Sequence, residues 1–92
     1  MHEHDPQSVS AHFNLGRTLA ALKQHSESTR EFELVLRLSP NDVEARYELA
    51  LSYAATKQKE KAIEQFNRAA ALDRDAARIA DKRKKLEEIL GS

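Results

Sequence analysis

The 92-residue sequence contains no cysteine and no tryptophan, and it has only two glycines, two prolines and five aromatic residues. The absence of cysteine excludes disulfide bonds, thiolate zinc sites and cysteine nucleophiles. Lysine plus arginine balance aspartate plus glutamate at 15 each. The chain therefore lacks the excess positive charge that favours nucleic acid or a membrane surface. We expect neither nucleic acid nor a membrane among its partners.

Long apolar runs are also missing, since none approaches the roughly 18 residues of a transmembrane helix. The polar, acidic residues 1–5 resemble neither a secretory signal nor a transit peptide, and we expect a cytoplasmic location. Helix-forming residues are abundant. Alanine, leucine, glutamate, lysine, arginine, glutamine and methionine make up 55 of the 92 residues, whereas valine, isoleucine and threonine make up nine. This composition favours an all-α fold in one small domain.

The chain repeats itself after 34 residues. A gapless shift places residues 9–42 over residues 43–76 with nine identical pairs, among them Leu15/Leu49 and Phe32/Phe66. Within each unit, apolar residues recur at helical spacing, and short polar stretches separate the apolar segments. The pattern predicts helices over residues 8–22, 26–38, 43–56, 59–73 and 75–90.

Each pair of helices has an apolar face that only a neighbouring pair can cover, so the units are expected to stack. The last helix is apolar toward the preceding unit, through Ile79, Leu86 and Leu90, and charged on its outer side. That asymmetry is typical of a capping helix, and Gly91 is expected to end it at the C′ position. The residues that we expect to be mostly buried are Leu15, Leu19, Phe32, Val35, Leu49, Tyr53, Ala62, Phe66, Ile79 and Leu86.

The segment before the first helix mirrors the segment between the two units. Asp5-Pro6-Gln7-Ser8 aligns with Ser39-Pro40-Asn41-Asp42 under the same 34-residue shift. Two interpretations remain open. The segment is the tail of a further repeat, or Asp5 and Pro6 simply cap and start the first helix.

These features resemble the tetratricopeptide repeat family, which has a 34-residue period, paired helices and alternating small and large residues. In the first unit the family's positions are filled by Leu15-Gly16, Ser28, Phe32 and Pro40, and in the second by Leu49-Ala50, Tyr53, Ala62, Phe66 and Ala69. The sequence departs from the family at His12 and Arg46, where tryptophan is common, and at Lys23 and Lys57, which replace the usual glycine between the helices.

The resemblance implies an all-α helix-turn-helix repeat solenoid of five antiparallel helices, arranged in a short right-handed superhelix. A single domain, residues 1–92, would comprise repeat one (9–42), repeat two (43–76) and a capping helix (77–90).

The resemblance also implies protein–protein interaction through a concave surface lined by the first helix of each repeat. The groove for a peptide or helix of a partner protein would contain Phe13, Asn14, Arg17, Tyr47, Glu48, Leu51, Arg78 and Lys82. Phe13 and Tyr47 have an alternative role, which is to pack on the adjacent helices.

One subset of the family binds acidic chain ends through a two-carboxylate clamp. Of the five clamp positions in this sequence, only Arg78 and Lys82 suit a carboxylate, and Glu48 would repel one. We therefore do not expect that ligand.

No serine–histidine–aspartate order, phosphate loop or glycine-rich turn is present, and the four histidines are dispersed. We expect no enzyme activity, no cofactor and no metal. Two other functions remain open, a structural self-assembly unit and a regulatory segment of a longer multidomain protein. Ala11, Thr18 and Leu22 occupy positions that pack on a preceding repeat, so the sequence also predicts a homodimer through the first helix.

Overall fold

The computed structural model describes residues 8–91, and the predicted cap at Asp5 and Pro6 lies outside them. This part of the chain folds into five helices and contains no strand. They are α1 (Val9–Ala21), α2 (His25–Leu38), α3 (Val43–Ala55), α4 (Lys59–Leu72) and α5 (Ala76–Leu90). Each boundary lies within one residue of its predicted position. No helix among the described residues is both long and apolar enough to cross a membrane.

The first helix of each unit and the last helix begin at a side-chain cap. Oxygens of Ser8, Asp42 and Asp75 accept hydrogen bonds from the backbone N–H three residues further on, at 3.2, 3.0 and 3.1 Å. Each cap satisfies a donor that has no partner within the helix, and this fixes where α1, α3 and α5 start.

The turns inside the two helix pairs have the same geometry. Lys23 and Lys57 adopt left-handed backbone conformations, with φ of 67° and 65°. Gln24 N–H donates to the Leu19 carbonyl at 2.9 Å, and Gln58 N–H donates to the Tyr53 carbonyl at 2.8 Å. This is the Schellman arrangement, in which glycine usually occupies the left-handed position.

The core is centred on α3, in which seven of the thirteen residues are buried. The α3 helix packs on α2 on one side, on its own partner α4, and on α5. Seven of the ten residues predicted to be buried are so: Phe32, Val35, Leu49, Tyr53, Ala62, Phe66 and Leu86. Leu19 and Ile79 are half-buried.

Two expectations from the sequence are wrong. Leu15 is 45% exposed, whereas its counterpart Leu49 is 2% exposed. The difference follows from the number of neighbouring helices, since α3 packs on α2, α4 and α5, whereas α1 packs on α2 and only slightly on α3. Gly91 follows α5 with φ of −82°, so it does not use the left-handed conformation that a C′ glycine provides.

The helices of the first pair approach closely at Gly16. A Cβ atom at this position would lie 2.8 Å from the ring of Phe32, which is fully buried. The Ser28 hydroxyl donates to the Gly16 carbonyl at 2.9 Å across the same contact. Small residues are therefore needed on both helices for Phe32 to fill the space between them.

A polar contact joins the two helices of each pair at equivalent positions. His12 Nδ1 lies 2.7 Å from Glu31 Oε1, and Arg46 donates to Gln65 Oε1 at 2.8 Å. Both residues of the second contact are 34 positions beyond those of the first. Two different side-chain pairs thus serve the same junction, and the repeat is visible in its contacts as well as in its sequence.

The last helix, α5, packs mainly on α3 rather than on α4. Its buried anchor is Leu86, and Arg83 lies over the ring of Phe66 at 5.3 Å from the centroid. The four residues at positions that would face a second helix of the same unit are all exposed, namely Ala80, Arg83, Lys84 and Glu87. One side of α5 therefore faces the protein and the other faces solvent.

Candidate functional site

The candidate surface is formed by α1, α3 and α5, which lie side by side in this order. Among the described residues, α2 and α4 make no contact with each other, although each packs on α3. A stack whose members touch on one side and separate on the other curves toward the touching side. We therefore expect the side lined by α1, α3 and α5 to be the concave one.

The eight residues predicted for the groove differ in accessibility. Asn14 and Arg17 on α1 are exposed, and Tyr47 on α3 is fully buried. The others are half-buried, namely Phe13, Glu48, Leu51, Arg78 and Lys82. Seven of the eight thus retain surface that a ligand could reach.

Tyr47 has the alternative role considered from the sequence, packing in the core. Its ring lies 5.6 Å from that of Phe66, and its hydroxyl donates to Asp73 Oδ2 at 2.8 Å. Burial and this hydrogen bond raise the pKa of Tyr47 to about 12. The side chain therefore holds α3 to the α4–α5 turn and offers no surface to a ligand.

Arg78 is held between two carboxylates. Its guanidinium donates through Nε and Nη2 to the two oxygens of Asp73, and through Nη1 to Glu44 Oε2, each at 2.8 Å. Hydrogen bonds from Arg78 hold the pKa of Asp73 well below its usual value, although burial of this carboxyl acts in the opposite direction. Lys82 adds a weaker contact, with Nζ 4.0 Å from Glu44 Oε1. Both cations that suited a clamp for acidic chain ends are thus paired within the chain.

A surface depression of about 300 Å³ opens between α1 and α3. It is lined by Val9, Ser10, Phe13, Asn14, Asp42 and Glu44. The ring of Phe13 meets that of Phe32 edge-on, with centroids 5.7 Å apart, and the guanidinium carbon of Arg17 lies 6.0 Å from the Phe13 centroid. The depression therefore combines an aromatic ring with an amide, a hydroxyl and two carboxylates.

Three acidic residues near this surface were missing from the sequence-based site. They are Asp42, which caps α3, Glu44 in the first turn of α3, and Asp73 in the turn between α4 and α5. Asp73 has no counterpart, because serine stands at position 39 of the first unit. One sequence signal does exist for part of the network. Glu44 and Arg78 have opposite charges and are 34 residues apart, so they occupy equivalent positions on neighbouring helices.

Groups of three or more histidine, aspartate or glutamate side chains that could hold a metal ion are not found among residues 8–91. The chemistry that the described surface offers is hydrogen bonding, ion pairing and contact with an aromatic ring.

A model described as tetratricopeptide repeat matches residues 22–92, which is more than three quarters of the chain and includes α2 to α5. A search of curated proteins finds no match.

Proposed function

Because the chain belongs to the tetratricopeptide repeat family, we propose that it is an interaction module whose concave surface binds a peptide or helix of a partner protein. Members of this family generally mediate protein–protein interactions. The role proposed here is binding without catalysis. We further propose that residues 9–42 and 43–76 are its two repeats, and that residues 77–90 are a cap within one domain.

The observation that carries this proposal is the depression between α1 and α3, together with the accessible polar residues beside it. Asn14 can donate to and accept from a ligand backbone, and exposed Arg17 can pair with a ligand carboxylate. Leu51, which is half-buried, adds apolar area further along α3. Apolar area bordered by a few polar groups suits an extended peptide or one face of a helix.

The test is selection of peptides on the folded chain from a random library, followed by mapping with backbone NMR shifts. Selected peptides should shift the resonances of Asn14, Arg17 and Glu48. Arg17→Ala should then weaken binding, because it removes a hydrogen-bond donor and apolar stem from α1. Arg37→Ala is the matched control, since Arg37 is equally an exposed arginine but lies on α2, outside the concave surface. A footprint centred on Arg37, or equal loss in the two variants, would contradict the groove assignment.

A second candidate function, self-association through α1, has its own supporting observation. Leu15 on α1 and Leu22 at its C-terminal cap are 45% and 60% exposed, whereas Leu49, the counterpart of Leu15 on α3, is 2% exposed. Burying such apolar area in a second copy would be favourable. We propose a weak homodimer that pairs the two α1 helices.

A further inference from the structure

We call the space between two neighbouring helices of the α1–α3–α5 surface an interval. The interval between α3 and α5 shows which chemical group this backbone accommodates. It is filled by the guanidinium of Arg78, which Asp73 and Glu44 hold from two sides at 2.8 Å. An arginine between carboxylates, beside the aromatic residue Tyr47, is therefore an arrangement that this backbone supports.

The preceding interval, between α1 and α3, has the reverse order of charge. Under the 34-residue shift, Glu44 stands where Arg78 stands in the next interval, and Ser10 stands where Glu44 stands. The carboxylate is thus on the side where the cation would be, and the opposite side carries only a small hydroxyl. The depression of about 300 Å³ lies here, and no arginine is among its lining residues, although the guanidinium of Arg17 lies beside Phe13.

The lining of the depression suits a cation with an apolar stem. Phe13 occupies the position of Tyr47, and its ring already has one guanidinium, that of Arg17, at 6.0 Å. Asp42 uses Oδ1 to cap α3, and its other oxygen has no hydrogen bond to the described residues. The side chain of Glu44 is 44% exposed, so it remains accessible beside Arg78.

The balance of charge points the same way. Arg78 and Lys82 are both committed to Glu44, and Arg78 also to Asp73. Asp42 and Glu48 add two further carboxylates at the start and on the same face of α3. The residues that line the depression include two carboxylates and no cation. A planar guanidinium can pair with such carboxylates and stack on an aromatic ring, whereas a ligand carboxylate would meet Asp42, which has no cationic partner among the described residues.

We propose that the depression between α1 and α3 binds an arginine side chain of the partner peptide, with its guanidinium at Asp42 and Glu44 and its stem against Phe13. This inference rests on the proposed function, because it names the residue that the concave surface recognises. The guanidinium of the partner would approach Glu44 from the α1 side, whereas Arg78 approaches it from α5.

The test uses the peptide acetyl-Gly-Ala-Arg-Ala-Gly-amide titrated into the labelled chain and followed by backbone NMR. The same peptide with citrulline, which keeps the shape and removes the charge, is the first control, and a glutamate version is the second. The arginine peptide should shift the backbone resonances of Ser10, Asn14 and Glu44. It should bind about tenfold more tightly than the citrulline peptide.

Two variants test whether the carboxylate of Asp42 binds the guanidinium. Asp42→Asn should weaken binding of the arginine peptide about tenfold. The helix α3 should stay capped, because asparagine is an equally good N-cap. Asp81→Asn makes the same chemical change on α5, outside the depression, and should leave binding unchanged. Phe13→Leu should also weaken binding, and helical circular dichroism of each variant verifies that it folds.

Equal binding of the arginine and citrulline peptides, tighter binding of the glutamate peptide, or no effect of Asp42→Asn would each overturn the inference. Such a result leaves the proposed function standing if library-selected peptides still shift Arg17 and Glu48. If selected peptides avoid the concave surface altogether, the proposed function itself fails.

Discussion

At the scale of single residues, the two lysines that connect the helices of each pair have unfavourable backbone conformations. Lys23 and Lys57 have φ of 67° and 65°, a region in which a Cβ atom crowds the backbone. The Schellman hydrogen bonds on either side hold them there. The two pairs thus keep the turn geometry that glycine usually serves, at some cost in stability.

We predict that Lys57→Gly stabilises the chain by about 0.5–1 kcal/mol. Relief of the left-handed strain is worth about 1–2 kcal/mol, and the greater freedom of glycine in the unfolded chain offsets part of it. Lys59→Gly is the control, because this residue begins α4 in helical conformation and should lose stability instead. Urea unfolding of the two variants should give opposite signs, and a loss of stability in Lys57→Gly would refute the strain argument.

The burial of individual residues shows which core positions could be predicted from the sequence alone. Periodicity correctly assigned Leu49, Phe32 and Phe66 to the core, because spacing identifies which face of a helix is apolar. The same reasoning failed for Leu15, since spacing does not reveal whether a neighbouring element covers that face. Tyr47 was ambiguous for a related reason. Its hydroxyl partner, Asp73, has no repeat counterpart that could have signalled the bond.

At the scale of secondary-structure elements, α5 is the helix whose placement depends most on polar contacts. Tyr47 on α3 and Arg78 on α5 both donate to Asp73, in the turn between α4 and α5. Glu44 adds a second link from α3 to Arg78. Leu86 supplies the buried apolar contact of α5 with the core. The order of the helices was predictable from the 34-residue period, but the leaning of α5 onto α3 was not, because it depends on this network.

We predict that the carboxylate of Asp73 makes the free energy of unfolding depend on pH in the acidic range. Hydrogen bonds from Arg78 hold the pKa of Asp73 below its unfolded value of about 3.9, so its contribution is complete above that pH. The contribution is lost as the pH falls through the lower pKa of the folded state. Asp73→Asn should therefore unfold at lower urea than the parent at pH 7, and the gap should narrow below about pH 4.

The control for this experiment is Asp81→Asn, which replaces an exposed carboxylate on α5 itself. Its urea midpoint at pH 7 should stay close to that of the parent. If the gap between Asp73→Asn and the parent were as large at pH 2 as at pH 7, the ionised carboxylate would not be the source of the stabilisation.

At the scale of the whole molecule, the two ends of the helical stack differ. The outer face of α5 is charged, whereas the outward face of α1 carries Leu15 and Leu22. The helices α1, α3 and α5 lie side by side, so the exposed leucines at the α1 end are adjacent to the proposed groove but separate from it. A partner peptide in the groove and a second copy at α1 therefore contact different residues. Substitutions can abolish peptide binding without affecting self-association, and the reverse.

We predict that the chain associates weakly through α1 and that Leu22→Glu abolishes the association. A 13-residue helix is about 20 Å long, and its exposed face covers much less than the roughly 800 Å² per partner of a stable interface. The dissociation constant should therefore be on the order of 100 µM or weaker. Light scattering over a concentration series should show a rising mass for the parent chain. Leu72→Glu is the matched control, since it places the same charge at a 43% exposed leucine on α4 and should leave the association intact. A parent chain that stays monomeric at several hundred micromolar, or equal effects of the two variants, would mean that α1 is stable with its apolar face in water.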